Sequence, residues 1–149
     1  MLDITFRTAA HRDIPAMREL LMQMDLGNDE PLTLETLERA FVSIQNNRYH
    51  EIYVAVINGE PRAMFTMLII QQLAHNAGIS AQINNVVVDS SLRGQGIGKQ
   101  LIAFAIDRAR SAGCEKIILT SNAKRVDAHR FYDQLGFKRH GLSFYYDLE

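Results

Sequence analysis

Chemistry is first suggested by the types and spacing of Arg93-Gly94-Gln95-Gly96-Ile97-Gly98-Lys99. The stretch lies between an apolar run, Val86-Val87-Val88, and a segment of helical period that begins at Ile97. Backbone N–H groups at a helix start lack intrahelical acceptors, and together with the helix dipole they attract an anion. The glycines permit positive φ in the turn and let a ligand come close to the backbone. Arg93 and Lys99 add positive charge at its edges. Two better-known phosphate motifs do not fit. A Walker A loop needs glycine where Arg93 stands and Ser or Thr where Gln100 stands. A dinucleotide fingerprint needs glycine at Lys99 and an acidic residue at the end of the next strand.

The charge distribution supports a local anion. Between Arg93 and Arg130 there are eight Lys or Arg against three acids, a balance of +5, while the rest of the chain carries eight bases and fourteen acids, a balance of -6. The overall charge of -1 speaks against general nucleic-acid binding. A length of 149 residues suits one domain, residues 1–149, and 47% apolar with 22% charged residues suits an ordinary globular protein. The lone Cys114 excludes an internal disulfide framework and a cysteine-rich metal site, and no metal is expected. The N-terminus lacks the apolar run of a signal peptide and no 18 consecutive apolar residues occur, so a cytoplasmic protein without a membrane span is expected.

Several elements must position the loop. Leu2 to Thr8 alternates as a strand, and a helix runs from about Asp13 to Met24 with Pro15 in its first turn. Leu26 to Leu32 reads as a loop, after which Thr33 caps a second helix with Leu34, Leu37, Phe41 and Ile44 on one face. Glu51 to Ile57 and Glu60 to Gln72 form a hairpin around Asn58-Gly59. Ala63 to Val88 holds no Asp, Glu, Lys or Arg, as expected of two central strands joined near His75 to Ser80 and covered by helices. A helix follows the glycine loop to about Ser111, with Ile97, Leu101, Phe104, Ala105 and Ala109 inward. Lys116 to Thr120 is a strand, Asn122 to Leu135 a helix, and Leu142, Phe144, Tyr146 and Leu148 alternate along a last strand. The expected class is α/β, a mixed and mostly antiparallel central sheet flanked by about four helices.

Arg93-x-x-Gly96-x-Gly98 resembles the acyl-CoA pyrophosphate loop of the GNAT N-acetyltransferases. Val86-Val87-Val88-Asp89 before it, and Ala128-His129-Arg130-Phe131-Tyr132 with Leu135-Gly136-Phe137 after it, match that family in order and spacing. Residues 122–132 are also similar to the aminoalkylphosphonate acetyltransferases. The resemblance implies a single-domain acetyltransferase fold and acetyl-CoA as cosubstrate. It places the diphosphate on the amides of Gly94, Gln95, Gly96, Ile97, Gly98 and Lys99, beside Arg93. The pantetheine arm would bond like an extra strand to backbone at Val86 and Val88, which requires a bulge or splay nearby. Lys124, Arg125 or Arg130 would meet the 3′-phosphate, with a further contact from Asn122. Tyr132 matches the position that protonates the departing thiolate, and the Val88 N–H would polarise the thioester carbonyl.

Relatives frequently carry a carboxylate base where this chain has Asn84-Asn85. A backbone-held water is then the leading route for deprotonation, and His75 the first side-chain candidate; His129 reads as structural, and His50 and His140 have no visible partner. Asp25, Asp29, Glu30, Glu35 and Glu38 surround the first two helices, which in this family line the acceptor side. They favour a cationic amine or form a solvated acidic face, whereas an aminoalkylphosphonate would want the opposite sign. The expected activity is direct acetyl transfer to the primary amine of a small molecule. The alternatives are acetylation of a protein N-terminus or lysine, and a non-catalytic acyl-CoA-binding sensor. The resemblance hints at a homodimer formed through the last strands.

Overall fold

In the computed structural model, which describes residues 2–24 and 30–148, the alternating and helical periods resolve into one mixed sheet and four helices among the described residues. Strands β1 (Ile4–Thr8), β2 (His50–Ile57), β3 (Glu60–Gln71), β4 (Ile79–Val88) and β5 (Lys116–Ile118) lie in the order β1-β2-β3-β4-β5. The first three pairings are antiparallel; β4 and β5 run parallel, from Ser80↔Lys116 to Gln82↔Ile118. Asn58 and Gly59 turn the β2–β3 hairpin with φ of 52° and 81°, the pair of positive angles that an Asn-Gly turn supplies. The helices are α1 (Ile14–Met22), α2 (Leu34–Gln45), α3 (Ile97–Ser111) and α4 (Val126–Gln134). Thr33 caps α2 as expected, accepting from the Thr36 N–H at 3.1 Å.

Residues Met1–Ile118 and Leu119–Glu149 make two compact units. In the first, period-two alternation sends side chains to two cores. Ile14, Met17 and Leu20 of α1 and Phe41 of α2 pack on Ile52, Val54, Met64 and Val87 on one sheet face. On the other, Phe104 of α3 stacks on Phe6 at 4.7 Å and meets Tyr53 and Phe65 edge-on. No helix among the described residues is long and apolar enough to cross a membrane.

Two expectations need correction. The last strand does not form: residues 138–148 have no ladder partner, and Leu142, Phe144, Tyr146 and Leu148 are each more than four-fifths exposed. Alternation prepares a chain for a sheet, but a strand exists only where another backbone takes its hydrogen bonds. The helix expected over Asn122–Leu135 begins only at Val126. Asn122 Oδ1 accepts from Lys124 N at 2.9 Å, an Asx turn that competes with helix before the first regular turn.

The start of α1 depends on a bidentate pair, Arg7 Nη1 and Nη2 donating to Asp13 Oδ2 and Oδ1 at 2.6 and 2.9 Å, with Ala10 N also donating to Oδ2 at 2.7 Å. Asp13 is 3% exposed, and the Arg7 hydrogen bond, more than the opposing burial, holds its carboxyl below the usual range. Asp13→Ala is expected to cost about 3 kcal/mol in urea unfolding at pH 7, the lower end for breaking a buried pair. A carboxyl lowered in the fold stabilises fully above its unfolded value of about 3.9 and loses that stabilisation as pH falls through its folded value. The difference between wild type and variant should therefore shrink below about pH 4. A difference that stays constant from pH 7 to pH 3 would assign Asp13 to packing alone.

Candidate active site

β4 carries an extra residue. Thr66 pairs with Asn84 and Met64 with Val87, so two steps on β3 face three on β4. Asn85 takes up the excess with φ of 54°, and its Nδ2 donates to Thr66 Oγ1, which in turn donates to the Asn84 carbonyl, both at 3.2 Å. Beyond the bulge, the β5 ladder has already ended at Gln82. Asp89 N donates across to Arg62 O at 2.8 Å, so strand alternation turns the N–H and C=O of Val88 to the opposite edge, away from β3. The bulge and the early end of β5 leave that edge of β4 without a ladder partner beyond Gln82 among the described residues. On that edge Arg93 Nε donates to the Val88 carbonyl at 3.3 Å.

The loop that follows is a cradle of backbone donors. Gly94 and Gly96 have φ of 80° and 82°, and a Cβ built on either would meet nothing within 4 Å. The first intrahelical bond runs from Gln100 N to Gly96 O, which leaves the N–H groups of Ile97, Gly98 and Lys99 without helical acceptors. Ile97 anchors the helix start in the core at 1% exposure, while Arg93, Gly94, Gln95, Gly96 and Lys99 are exposed. Nine of the expected cofactor contacts, Val86, Val88 and Arg93 to Lys99, therefore fall on one continuous strand, loop and helix start.

In the second unit, α4 presents Tyr132 with its ring edge-on to Phe131 at 5.3 Å and to Phe137 at 5.6 Å. Burial pushes the phenol above its ordinary value, opposed by the Arg125 charge, and its hydroxyl makes no hydrogen bond among the described residues. His129 Nε2 donates to the Asn122 carbonyl at 2.8 Å, a structural role as expected. Lys124, Arg125 and Arg130 are exposed, and Arg130 lies 3.8 Å from Asp127.

His75 does not serve as a base at Val86 or Val88. It is exposed in a left-handed turn, Ala74–Ala77, that precedes Ile79, at the end of β4 opposite Val88. At about 3.3 Å per residue, seven or more residues of strand keep it more than about 20 Å from Val86. Of the acidic residues, exposed Glu38 pairs with His11 at 2.6 Å and exposed Glu35 with Arg39 at 3.2 Å, as on a solvated face, while Asp25 and Asp29 lie outside the described residues.

Sequence reasoning missed Arg62 and Gln23, and found no partner for His50. His50 pairs with Leu68, which pairs with Gln82, so the imidazole shares a cross-strand row with Gln82 and lies two residues of register from Asn84. Burial lowers its pKa, which keeps it neutral at pH 7. Arg62 bonds Asp89 and Ser91, and Gln23 bonds Ser90, in the turn that leads into the loop. No local pattern marks any of the three, because their partners are 18 to 67 residues away in sequence.

Residues 14–137 match the acetyltransferase (GNAT) family. The chain belongs to that family. It is 43% identical over 91 residues to an aminoalkylphosphonate N-acetyltransferase of Salmonella typhimurium, a match spanning 61% of this chain and 58% of that relative. It is 30% identical to the glucosamine 6-phosphate N-acetyltransferase of Arabidopsis thaliana over 87% of each chain. Among solved structures, a transcriptional regulator from Bacillus halodurans C-125 superposes with a TM-score of 0.85 at 36% identity, covering 97% of this chain and 100% of that one.

Proposed function

We propose that this GNAT protein is an acetyl-CoA-dependent N-acetyltransferase acting on the primary amine of a small molecule. The observation that carries the reading is the run of free amides from Gly94 to Lys99 directly after a strand whose Val88 amide faces an open edge. Acetyl-CoA, when bound, supplies an activated acetyl thioester. Gly94 to Lys99 hold its diphosphate by backbone donors, with Arg93 and Lys99 adding charge. Val86 and Val88 bond the pantetheine amides, and the Val88 N–H faces the thioester carbonyl, where negative charge grows as the amine nitrogen attacks. The C–S bond breaks, the departing sulfur takes a proton, for which the family resemblance assigns Tyr132, and the amine's proton leaves to water. The aminoalkylphosphonate and glucosamine 6-phosphate relatives support a small amine as acceptor.

An amine panel followed by thiol release tests this, with an aminoalkylphosphonate, glucosamine 6-phosphate, polyamines and peptide N-termini as acceptors. Release with one small amine is expected. Turnover restricted to peptides would establish the protein-acetylating alternative, and acetyl-CoA binding without turnover would make the protein a sensor.

The absence of a carboxylate at Asn84 and Asn85 predicts the pH profile. An alkylamine, with a pKa of about 10, is almost wholly protonated at pH 7, and a backbone-held water does not remove that proton ahead of bulk solvent. The kcat/KM for the amine is expected to climb about tenfold per pH unit from pH 7 to pH 9. Because burial lowers the His50 pKa, a rate already level below about pH 6.5 that becomes a steady climb in His50→Ala would instead make His50 the base and overturn the water route.

A further inference from the structure

The turn that leads into the amide loop is held from two sides by side chains outside the family's motifs. Arg62, near the start of β3, donates through Nε to Asp89 Oδ2 and through Nη2 to Ser91 Oγ, both at 3.0 Å, while its carbonyl accepts from Asp89 N at 2.8 Å. Asp89 Oδ1 accepts from both the N–H and the hydroxyl of Ser91 at 3.0 and 2.9 Å, closing the 3₁₀ turn Ser90–Leu92. From the other side, Gln23, just past the end of α1, accepts from Ser90 N through Oε1 at 2.7 Å. Three consecutive residues, Asp89, Ser90 and Ser91, are therefore pinned by β3 and α1, with Leu92 and Arg93 between them and the first left-handed glycine, Gly94.

We infer that Arg62 and Gln23 are positioning residues that set the direction in which the Gly94–Lys99 amides face their anion. The inference rests on the reading of that loop as the diphosphate site. The physical reason is the loop's own softness. Gly94 and Gly96 restrict the backbone least of all residues, and nothing lies within 4 Å of where a Cβ would stand on either. Such a loop gathers its donors around one point only if the chain leading into it is fixed, and an unfixed loop would lose that order on its own and have to regain it on binding. Arg62 suits the task because its planar fork bonds two groups at once in one geometry. Its guanidinium is committed to Asp89 and Ser91, so its effect on the loop is geometric.

The test compares CoA with S-acetylpantetheine, which has the thioester arm and lacks the diphosphate. In calorimetry with the full-length protein, Arg62→Met is expected to bind CoA about tenfold more weakly, the scale of losing charge-assisted hydrogen bonds. Gln23→Leu, losing one neutral bond, is expected to bind about threefold more weakly. Arg62→Lys keeps the charge but not the fork and should still lose about fivefold, which distinguishes positioning from simple attraction. Amide chemical-shift titration with S-acetylpantetheine should give the wild-type affinity, within about twofold, for all three variants.

Unchanged CoA affinity in a folded Arg62→Met, or an equal loss for both ligands, would overturn the inference. If Arg62→Met does not fold, Gln23→Leu, altered at an exposed side chain, is judged by the same two criteria. Gly96→Val keeps the two failures apart. If Gly96→Val also binds CoA like wild type, the loop reading itself has failed. If Gly96→Val alone loses CoA, the loop stands and the tethers do not.

Discussion

Gly96→Val is expected to weaken CoA binding by about 100-fold or more, roughly 2.7 kcal/mol, in a protein that still folds. Gly96 has φ of 82° at the N-cap of α3, and a Cβ there meets no protein atom within 4 Å. The first added carbon therefore meets nothing beyond the adjoining residues. If Gly94–Lys99 is the diphosphate site as proposed, the side chain stands on the open side from which the diphosphate would approach the amides. A branched residue at positive φ also strains the backbone by about 1–3 kcal/mol, so a lowered melting temperature should accompany the loss. Gly96→Ala provides the comparison, with similar strain but less bulk in the approach path. Calorimetry decides: Gly96→Val with wild-type affinity for CoA would remove Gly94–Lys99 from the site. If exposed Lys99, Lys124 and Arg125 attract the cosubstrate as proposed, raising salt from about 50 to about 500 mM should also weaken wild-type binding by screening their charge.

Tyr132→Phe is expected to lower kcat by about 100-fold, the lower range for general acid catalysis, and to leave CoA affinity nearly unchanged. The substitution removes one oxygen and keeps the ring, so the edge-on contacts with Phe131 and Phe137 persist. Burial raises the phenol's pKa, so the proton is present at neutral pH and stays into the alkaline range where the amine becomes reactive. The neighbouring Arg125 charge opposes that shift. Arg125→Gln should therefore raise the Tyr132 pKa further, visible as a later onset of tyrosinate absorbance on alkaline titration. An unchanged kcat in Tyr132→Phe, with chemistry shown to be rate-limiting, would assign Tyr132 to packing.

The parts of this protein that were legible in the sequence are those decided by neighbours along the chain. The Asn58-Gly59 turn, the Thr33 cap, the inner stripe from Ile97 to Ala109 and the left-handed glycines before α3 each follow from a few residues acting on their own backbone. The amide loop belongs to the same class, because a helix start exposes its N–H groups wherever the helix is placed. Tertiary structure alone decided what requires a distant partner. The pattern of Leu142, Phe144, Tyr146 and Leu148 found no strand to pair with, so alternation ended in exposed chain. His75, near the valines in sequence, was carried to the far end of a ten-residue strand, and His50 was brought by register into the row of Gln82. Arg62 and Gln23 reach the loop across 27 and 67 residues. Local sequence selects backbone conformation within a few residues, whereas hydrogen bonds and charge pairs between distant segments exist only once the sheet's register and the helices' packing have set their distances.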